Sequence, residues 1–291
     1  MNIAFRYCQD KTVQSGSSFY FSFFFLPILQ RRAITAVYAF CREVDDIVDR
    51  CTDRTVARKN LTWWREEIQR VYAAKPVHPV GIALNETIQT FNLKQSIFED
   101  IISGMEMDLY YQQYRQFSDL QLYCYRAAST VGLLAAEIFG YKNLKTLEFS
   151  KQLGVAFQLV NIIRDIGEDA RRNRIYIPGS DLKQCHISSK EIITLTLNSF
   201  ENFKLLMATQ INRARLYYQS ALDMLPDIDR INQRSALIMA KIYFTILDEI
   251  EASNFSILHQ RITITPIRKL WIAWETACAE NKRFQKLVTI S

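Results

Sequence analysis

Two segments of the sequence carry carboxylates at a spacing that could hold a divalent cation. Tyr38, Arg42, Asp45 and Asp49 follow one another at intervals of four, three and four residues. At roughly 100° per residue they fall on one helical stripe about 60° wide. Val37, Cys41, Val44 and Val48 form an apolar stripe beside it, and Glu43, Asp46 and Arg50 are expected to face solvent. Gln158, Asn161, Asp165 and Asp169 fall within about 80° of one another by the same arithmetic. Their helix is otherwise apolar nearly all round, with Leu153, Val155, Phe157, Leu159, Val160, Ile162, Ile163 and Ile166. So apolar a helix should be buried, and buried carboxylates are costly unless a partner answers their charge.

Two carboxylates at i and i+4 suit a hard cation with oxygen ligands. Magnesium takes one or two carboxylates, keeps several waters and completes its shell with substrate phosphate. Arg42, Arg164, Arg171 and Arg174 accompany the acids. A guanidinium there either pairs with a carboxylate or binds phosphate through two parallel hydrogen bonds. Acids for a metal and arginines for phosphate together point to a diphosphate substrate. One such carboxylate pair alone usually marks a solvated face; the inference rests on two, both set in apolar helices. Phe19, Tyr20, Phe21, Phe23, Phe24 and Phe25 crowd one segment, and Tyr110, Tyr111, Tyr123 and Tyr125 come later. Ring faces could line a cavity for a hydrocarbon tail and steady a carbocation; for any one ring, core packing is the alternative. Gly104-Met-Glu-Met-Asp108 reads as a close helix approach at Gly104 with a buried acid at Asp108.

Helices must position these groups. Helical pattern runs over about 31–50, 53–74, 80–91 and 95–115, and a capping box at Ser118-x-x-Gln121 opens a helix ending at Gly140. Another covers about 143–170, then a loop holds Pro178 and Gly179, and Ser188-x-x-Glu191 caps the next. Long helices fill about 199–223, 229–252 and 267–286. With only 8 Gly and 6 Pro in 291 residues and no run of strand alternation, the chain reads as all-α in a single domain. No two of the six cysteines have CxxC spacing, and none of the three histidines follows a Glu by three residues. A zinc site and a di-iron site of the ExxH kind are therefore unsupported, and the cysteines suit a reducing compartment. The net charge of +6 comes from bases interleaved with acids, which argues against nucleic acid. Phe19 to Leu29 is too short to span a bilayer and contains Pro27.

The segments Tyr38–Asp49 (YAFCREVDDIVD) and Gln158–Asp169 (QLVNIIRDIGED) resemble the two aspartate-rich motifs of the squalene/phytoene synthase family. Tyr123–Gly132 (YCYRAASTVG) is similar to its central tyrosine segment, and Arg174-Ile-Tyr176-Ile-Pro178 to the stretch after its second motif. The resemblance implies an isoprenoid synthase helical bundle spanning residues 1–291, with a central cavity for two prenyl diphosphates bridged by Mg²⁺, or by Mn²⁺ in its place. It implies Asp45, Asp49, Asp165 and Asp169 as metal ligands. Arg42, Arg164 and Arg174, with Tyr38, Gln158 and Asn161, would hold diphosphate; Ser18 and Phe19 would line the substrate. Tyr123 and Tyr176 would act near the reacting groups, as would Arg42 and Arg164. Ser129 stands where the family more often has Gly.

The N-terminal Ser15–Tyr20 and Phe25-Leu26-Pro27 look most like bacterial presqualene diphosphate synthases of the hopanoid pathway. That implies a prenyltransferase joining two farnesyl diphosphates into presqualene diphosphate without NADPH. The alternative within the family is a dehydrosqualene or phytoene synthase; outside it, a non-catalytic helical scaffold. The expected setting is cytoplasmic, with peripheral contact at the inner membrane because such substrates partition into lipid.

Overall fold

The computed structural model describes residues 3–14, 22–110 and 113–290, without the side chains of 288 and 290. A helix precedes those the sequence pattern predicts. This α1 (Ile3–Gln14) buries Ala4, Phe5, Cys8 and Thr12, and is short enough that its apolar face escapes a periodicity reading. α2 (Ile28–Arg50) follows Pro27 and buries Ala33, Val37, Phe40, Val44 and Val48. α3 (Arg54–Tyr72) is capped by Asp53, whose side chain accepts from the Thr55 and Val56 amides. α4 (Pro79–Phe91) starts with proline in its first turn, where the missing N–H costs nothing, and ends at Asn92 in the left-handed region.

α5 (Gln95–Tyr110) ends five residues before the predicted 115. α6 (Phe117–Cys124) is capped by a box between Gln116 and Asp119, not by Ser118. Its continuation is a π-helical turn, Tyr125–Ser129, before α7 (Thr130–Phe139) ends at Gly140 with φ +82°. α8 (Lys145–Arg164) breaks at Asp165 and resumes as α9 (Ile166–Arg171). Then come α10 (Gly179–Gln184), α11 (Ser189–Ile193), α12 (Phe200–Met224), α13 (Arg234–Ala252) and α14 (Pro266–Ile290). Ser188 and Glu191 form the expected capping box. Among the described residues there is no strand, only an isolated bridge between Gln113 and Ile175, and no helix is long and apolar enough to cross a membrane.

The core divides into two large apolar clusters. One is built by α1–α5 with the end of α7; the other gathers α6, α8, α9, α12 and α13 with the start of α14. Between them lies a cavity of about 220 Å³. It stays open because the helices facing it present small residues: Ala127, Ala128, Gly132, Ala135, Gly154 and Ala236. Interiors otherwise close to crystal-like density, so so large a void is built in by the sequence rather than left over.

The helices around the void cross closely. A Cβ on Gly154 of α8 would lie 2.5 Å from the Ser129 Cα in the π turn. Ser129 is fully buried, and its hydroxyl donates to the Lys151 carbonyl at 2.7 Å. Ser at this position is therefore accommodated by a hydrogen bond across the same crossing.

Candidate active site

On α2, Arg42 is gripped by two acids. Its Nη1 donates to Asp45 at 2.5 Å and its Nη2 to Asp46 at 2.9 Å. Asp46 and Glu43 do not face solvent as expected. Lys11 of α1 pairs with Asp46 at 2.9 Å and Glu43 at 3.1 Å, and Tyr7 donates to Glu43 at 2.7 Å. The stripe of Tyr38, Arg42 and Asp45 lines the cavity. Burial pushes the Asp45 carboxyl up to about 6, against the pull of Arg42 and with a further push from Asp49. One turn on, Asp49 receives Arg174 and Arg172, each at 2.9 Å. Arg174 also donates to the Val48 carbonyl at 2.7 Å. The segment after the second motif is thus clamped onto the end of the first.

The second stripe survives the helix break. Asp165 has φ −99° and ψ 9°, yet its amide still donates to the Asn161 carbonyl and the Asp169 amide to the Asp165 carbonyl, both at 2.9 Å. The i, i+4 register therefore holds through the bend. Asp165 lies under two guanidiniums, Arg164 at 2.7 Å and Arg261 at 2.8 Å. Arg261 is brought there by a tight seat: a Cβ on Gly167 would lie 2.1 Å from the Leu258 carbonyl oxygen, so only glycine lets the 257–261 segment rest on α9. Arg171 does not join the acids; it reaches the Leu258 carbonyl at 3.4 Å, and Arg172 takes the acidic partner instead.

Gln158 and Asn161 line the same cavity as Tyr38 and Asp45. The Asn161 Nδ2 donates to Gln158 at 3.4 Å, while its Oδ1 is buried without a hydrogen-bond partner among the described residues. Asp169 accepts no side-chain hydrogen bond there either. Burial, then the charges of Asp165 and Asp108, pushes its carboxyl up to about 8. An orphaned carbonyl oxygen and a charge-starved carboxylate on one stripe are the donors a hard cation lacks. No group of three or more acids, histidines or cysteines is gathered as a ready metal cage among the described residues. The donor set fits Mg²⁺ of the kind that relies on waters and substrate phosphate for the rest of its shell.

A third centre lies behind the acids. Asp108 of α5 accepts from Tyr123 at 3.0 Å and from Tyr176 at 2.8 Å. The two rings stack with centroids 5.1 Å apart. Burial raises both phenols well above their usual range, so neither is a phenolate near neutrality. Burial likewise pushes Asp108 up to about 7, opposed by Arg174 and the two phenols. The raised value favours the protonated folded form. Its contribution to stability is complete below about 4, where the unfolded acid also titrates, and is lost as pH rises through about 7. Asp108→Asn should therefore flatten the pH dependence of Tm between pH 5 and pH 8, by a difference on the order of 2–4 kcal/mol. Parallel thermal melts of wild type and variant across that range check it; superimposable slopes would contradict the assignment.

A sequence profile of the squalene/phytoene synthase family matches residues 12–268. The chain belongs to the squalene/phytoene synthase family. Its family is one of head-to-head prenyltransferases. It is 34% identical to a 15-cis-phytoene synthase of Synechocystis, covering 93% of this chain and 84% of that one. A crystal structure of a dehydrosqualene synthase superposes with a TM-score of 0.86 at 26% identity, over 96% of this chain and 97% of the other. A squalene synthase of Alicyclobacillus acidocaldarius gives 0.76 at 28% identity, over 87% and 94%.

In this family member Tyr38, Arg42, Asp45, Gln158 and Asn161 line one cavity; Arg174 ties the end of the first motif, at Asp49, to the segment after the second, Arg164 pairs with Asp165, and Tyr123 and Tyr176 share Asp108. Ser18 and Phe19 lie outside the described residues. Asp108, Arg172 and Arg261 belong to the same constellation and are not assigned to it by the sequence reading. Asp108 had a signal, an acid on the buried face of an apolar helix. Arg261, 96 residues from Asp165, had none.

Proposed function

We propose that the chain catalyses the Mg²⁺-dependent head-to-head condensation of two prenyl diphosphates, and that with farnesyl diphosphate its product is presqualene diphosphate. The observation that carries this reading is the continuity of an acid–arginine zone with an apolar cavity: Asp45, Arg42, Gln158 and Asn161 line the same void as Ile101, Val131, Leu153 and Met239. Headgroup chemistry and room for a hydrocarbon tail share one space. Magnesium between Asp45–Asp49 and Asp165–Asp169 would supply Lewis-acid charge to the departing diphosphate.

The chain's own groups account for the remaining steps. Arg42, Arg164, Arg172 and Arg174 would hold the diphosphate oxygens by charge-assisted bonds that strengthen as the donor's C1–O bond breaks. That break leaves an allylic cation and diphosphate. The acceptor's C2–C3 double bond attacks the cation, a proton is lost as the cyclopropane closes, and the acceptor keeps its own diphosphate. Tyr123 and Tyr176 can take a proton on oxygen while passing their own to Asp108, so neither need become a phenolate; the released diphosphate is the other acceptor. The apolar wall keeps water from the cation. The likeness of Ser15–Tyr20 to presqualene diphosphate synthases supports the stop at the cyclopropane.

A second reading is favoured by a specific observation: the relatives from Synechocystis and Arthrospira platensis, both 34% identical, are named phytoene synthases. Product analysis separates the two. Purified protein with farnesyl diphosphate and Mg²⁺ should yield a thirty-carbon product still bearing diphosphate, at a rate indifferent to NADPH, abolished by chelation and restored by added Mg²⁺. Mass spectrometry of the aqueous and hexane-extracted fractions reads it directly. A forty-carbon hydrocarbon from geranylgeranyl diphosphate would establish the second reading. NADPH-dependent squalene would reject the stop at presqualene diphosphate, and no product from either substrate would leave the scaffold.

A further inference from the structure

The acids of the first motif are answered from another helix. Lys11, in the last turn of α1, reaches two carboxylates of α2, Asp46 at 2.9 Å and Glu43 at 3.1 Å. The two oxygens of Asp46 are divided between partners. Oδ2 takes the Lys11 ammonium; Oδ1 takes Nη2 of Arg42 at 2.9 Å and lies 3.5 Å from the exposed Arg50. Nη1 of Arg42 goes to Asp45, and Arg42 and Asp45 both line the cavity. A chain of four charges therefore runs from α1 to the site: Lys11, Asp46, Arg42, Asp45.

The division of Asp46 decides where the guanidinium points. A carboxylate with both oxygens free takes a guanidinium fork-on, through two parallel bonds. With Lys11 on Oδ2, Asp46 accepts one nitrogen of Arg42, and the other is left for Asp45. Without Lys11, Oδ2 would become a second acceptor, and Arg42 would turn onto Asp46 and away from Asp45 and the cavity. Crowding of like charge adds to that pull. Glu43, Asp45, Asp46 and Asp49 fall within seven residues, and among the described residues Lys11 is the only cation from another helix that pairs with Glu43 or Asp46.

We propose that Lys11 is a positioning residue for Arg42: by occupying one oxygen of Asp46 it keeps the guanidinium aimed at the cavity, where diphosphate meets it. That Arg42 meets diphosphate rests on the function proposed above; the sharing of Asp46 does not. Lys11 is not what holds α1 in place. Phe5 and Cys8 are buried in the same apolar cluster as Val37 and Phe40, the Arg32 guanidinium lies 4.0 Å over the Phe5 ring, and Tyr7 donates to Glu43 independently. A variant at Lys11 therefore folds with α1 docked.

Calorimetric titration of the full chain with inorganic diphosphate in the presence of Mg²⁺ reads the site without turnover. Lys11→Met should weaken diphosphate binding about three- to tenfold and lower kcat/KM with farnesyl diphosphate by a similar factor, with an unchanged circular dichroism spectrum. Lys11→Arg should restore both. Lys11→Met combined with Asp46→Asn should bind diphosphate no more weakly than Asp46→Asn alone, because Lys11 acts through that carboxylate; a mere loss of positive charge near the site would add to the loss at Asp46. Wild-type affinity in Lys11→Met, additive losses in the double variant, or failure of arginine to restore binding would each overturn the positioning role. A wild type that binds no diphosphate would overturn it together with the proposed reaction. Diphosphate binding that obeys the cycle without any prenyl-diphosphate turnover would sustain the positioning and count only against the reaction.

Discussion

Asp165→Asn should lower kcat/KM with farnesyl diphosphate by roughly a thousandfold. Asp165 is the acid on which Arg164 and Arg261 converge. It sits one turn from both Asn161 and Asp169, so removing its charge weakens any cation held there and leaves two guanidiniums misplaced. Arg164 is the more buried of the two guanidiniums and loses its carboxylate, so the rate loss is accompanied by a loss of stability. Asp46→Asn makes the contrast. Asp46 joins Arg42 to Lys11 and so fastens α2 to α1; its loss should appear in Tm first and in kcat by no more than about tenfold. Steady-state kinetics and melts on both variants check the pair. Equal rate losses at Asp165 and Asp46 would contradict the division between a ligand face and a packing face.

Gly154→Ala should lower stability by about 3 kcal/mol and Tm by roughly 5–10 °C. The added methyl would meet the Ser129 Cα at 2.5 Å and its nitrogen at 2.7 Å. Both are backbone atoms of a π turn already held by the bond from Ser129 to Lys151. A flexible side chain could swing aside; this backbone can yield only if α8 moves, and α8 carries Gln158 and Asn161. Adding Ser129→Gly should not rescue the variant, because the conflict is not with the serine side chain. Thermal melts by circular dichroism measure the loss, and a Tm within a degree of wild type would show that the crossing has slack.

The sequence makes the two acidic stripes legible because an interval of four, three and four defines a helical face whatever packs against it. The same property hides the break at Asp165, since the hydrogen bonds on either side of it keep the interval intact. What escapes is everything decided at long range. Asp108 has no partner on its own helix; Tyr123 and Tyr176 arrive 15 and 68 residues later. Glu43 and Asp46 look solvated because the face opposite a ligand stripe is ordinarily wet, but here α1 covers it. Arg171 and Arg172 are adjacent where α9 ends, and no period tells which one turns toward Asp49. The all-α class is within reach of composition, whereas the cap at Gln116 depends on a side chain of weak capping preference beside the better-suited Ser118.

The arginine–aspartate pairs have a thermodynamic corollary. Arg172 and Arg174 lie on Asp49, and Arg164 and Arg261 on Asp165. A guanidinium cannot give the same donors to a carboxylate and to a diphosphate. If these acids hold magnesium, each arginine that turns to the substrate uncovers an oxygen for the cation, and each cation that takes an oxygen frees an arginine for the substrate. The two affinities then rise together, by one and the same factor in either order of addition. Cation and diphosphate become mutual effectors at a single site, each weak alone, and the leaving group tightens the electrostatic clamp that helps to expel it.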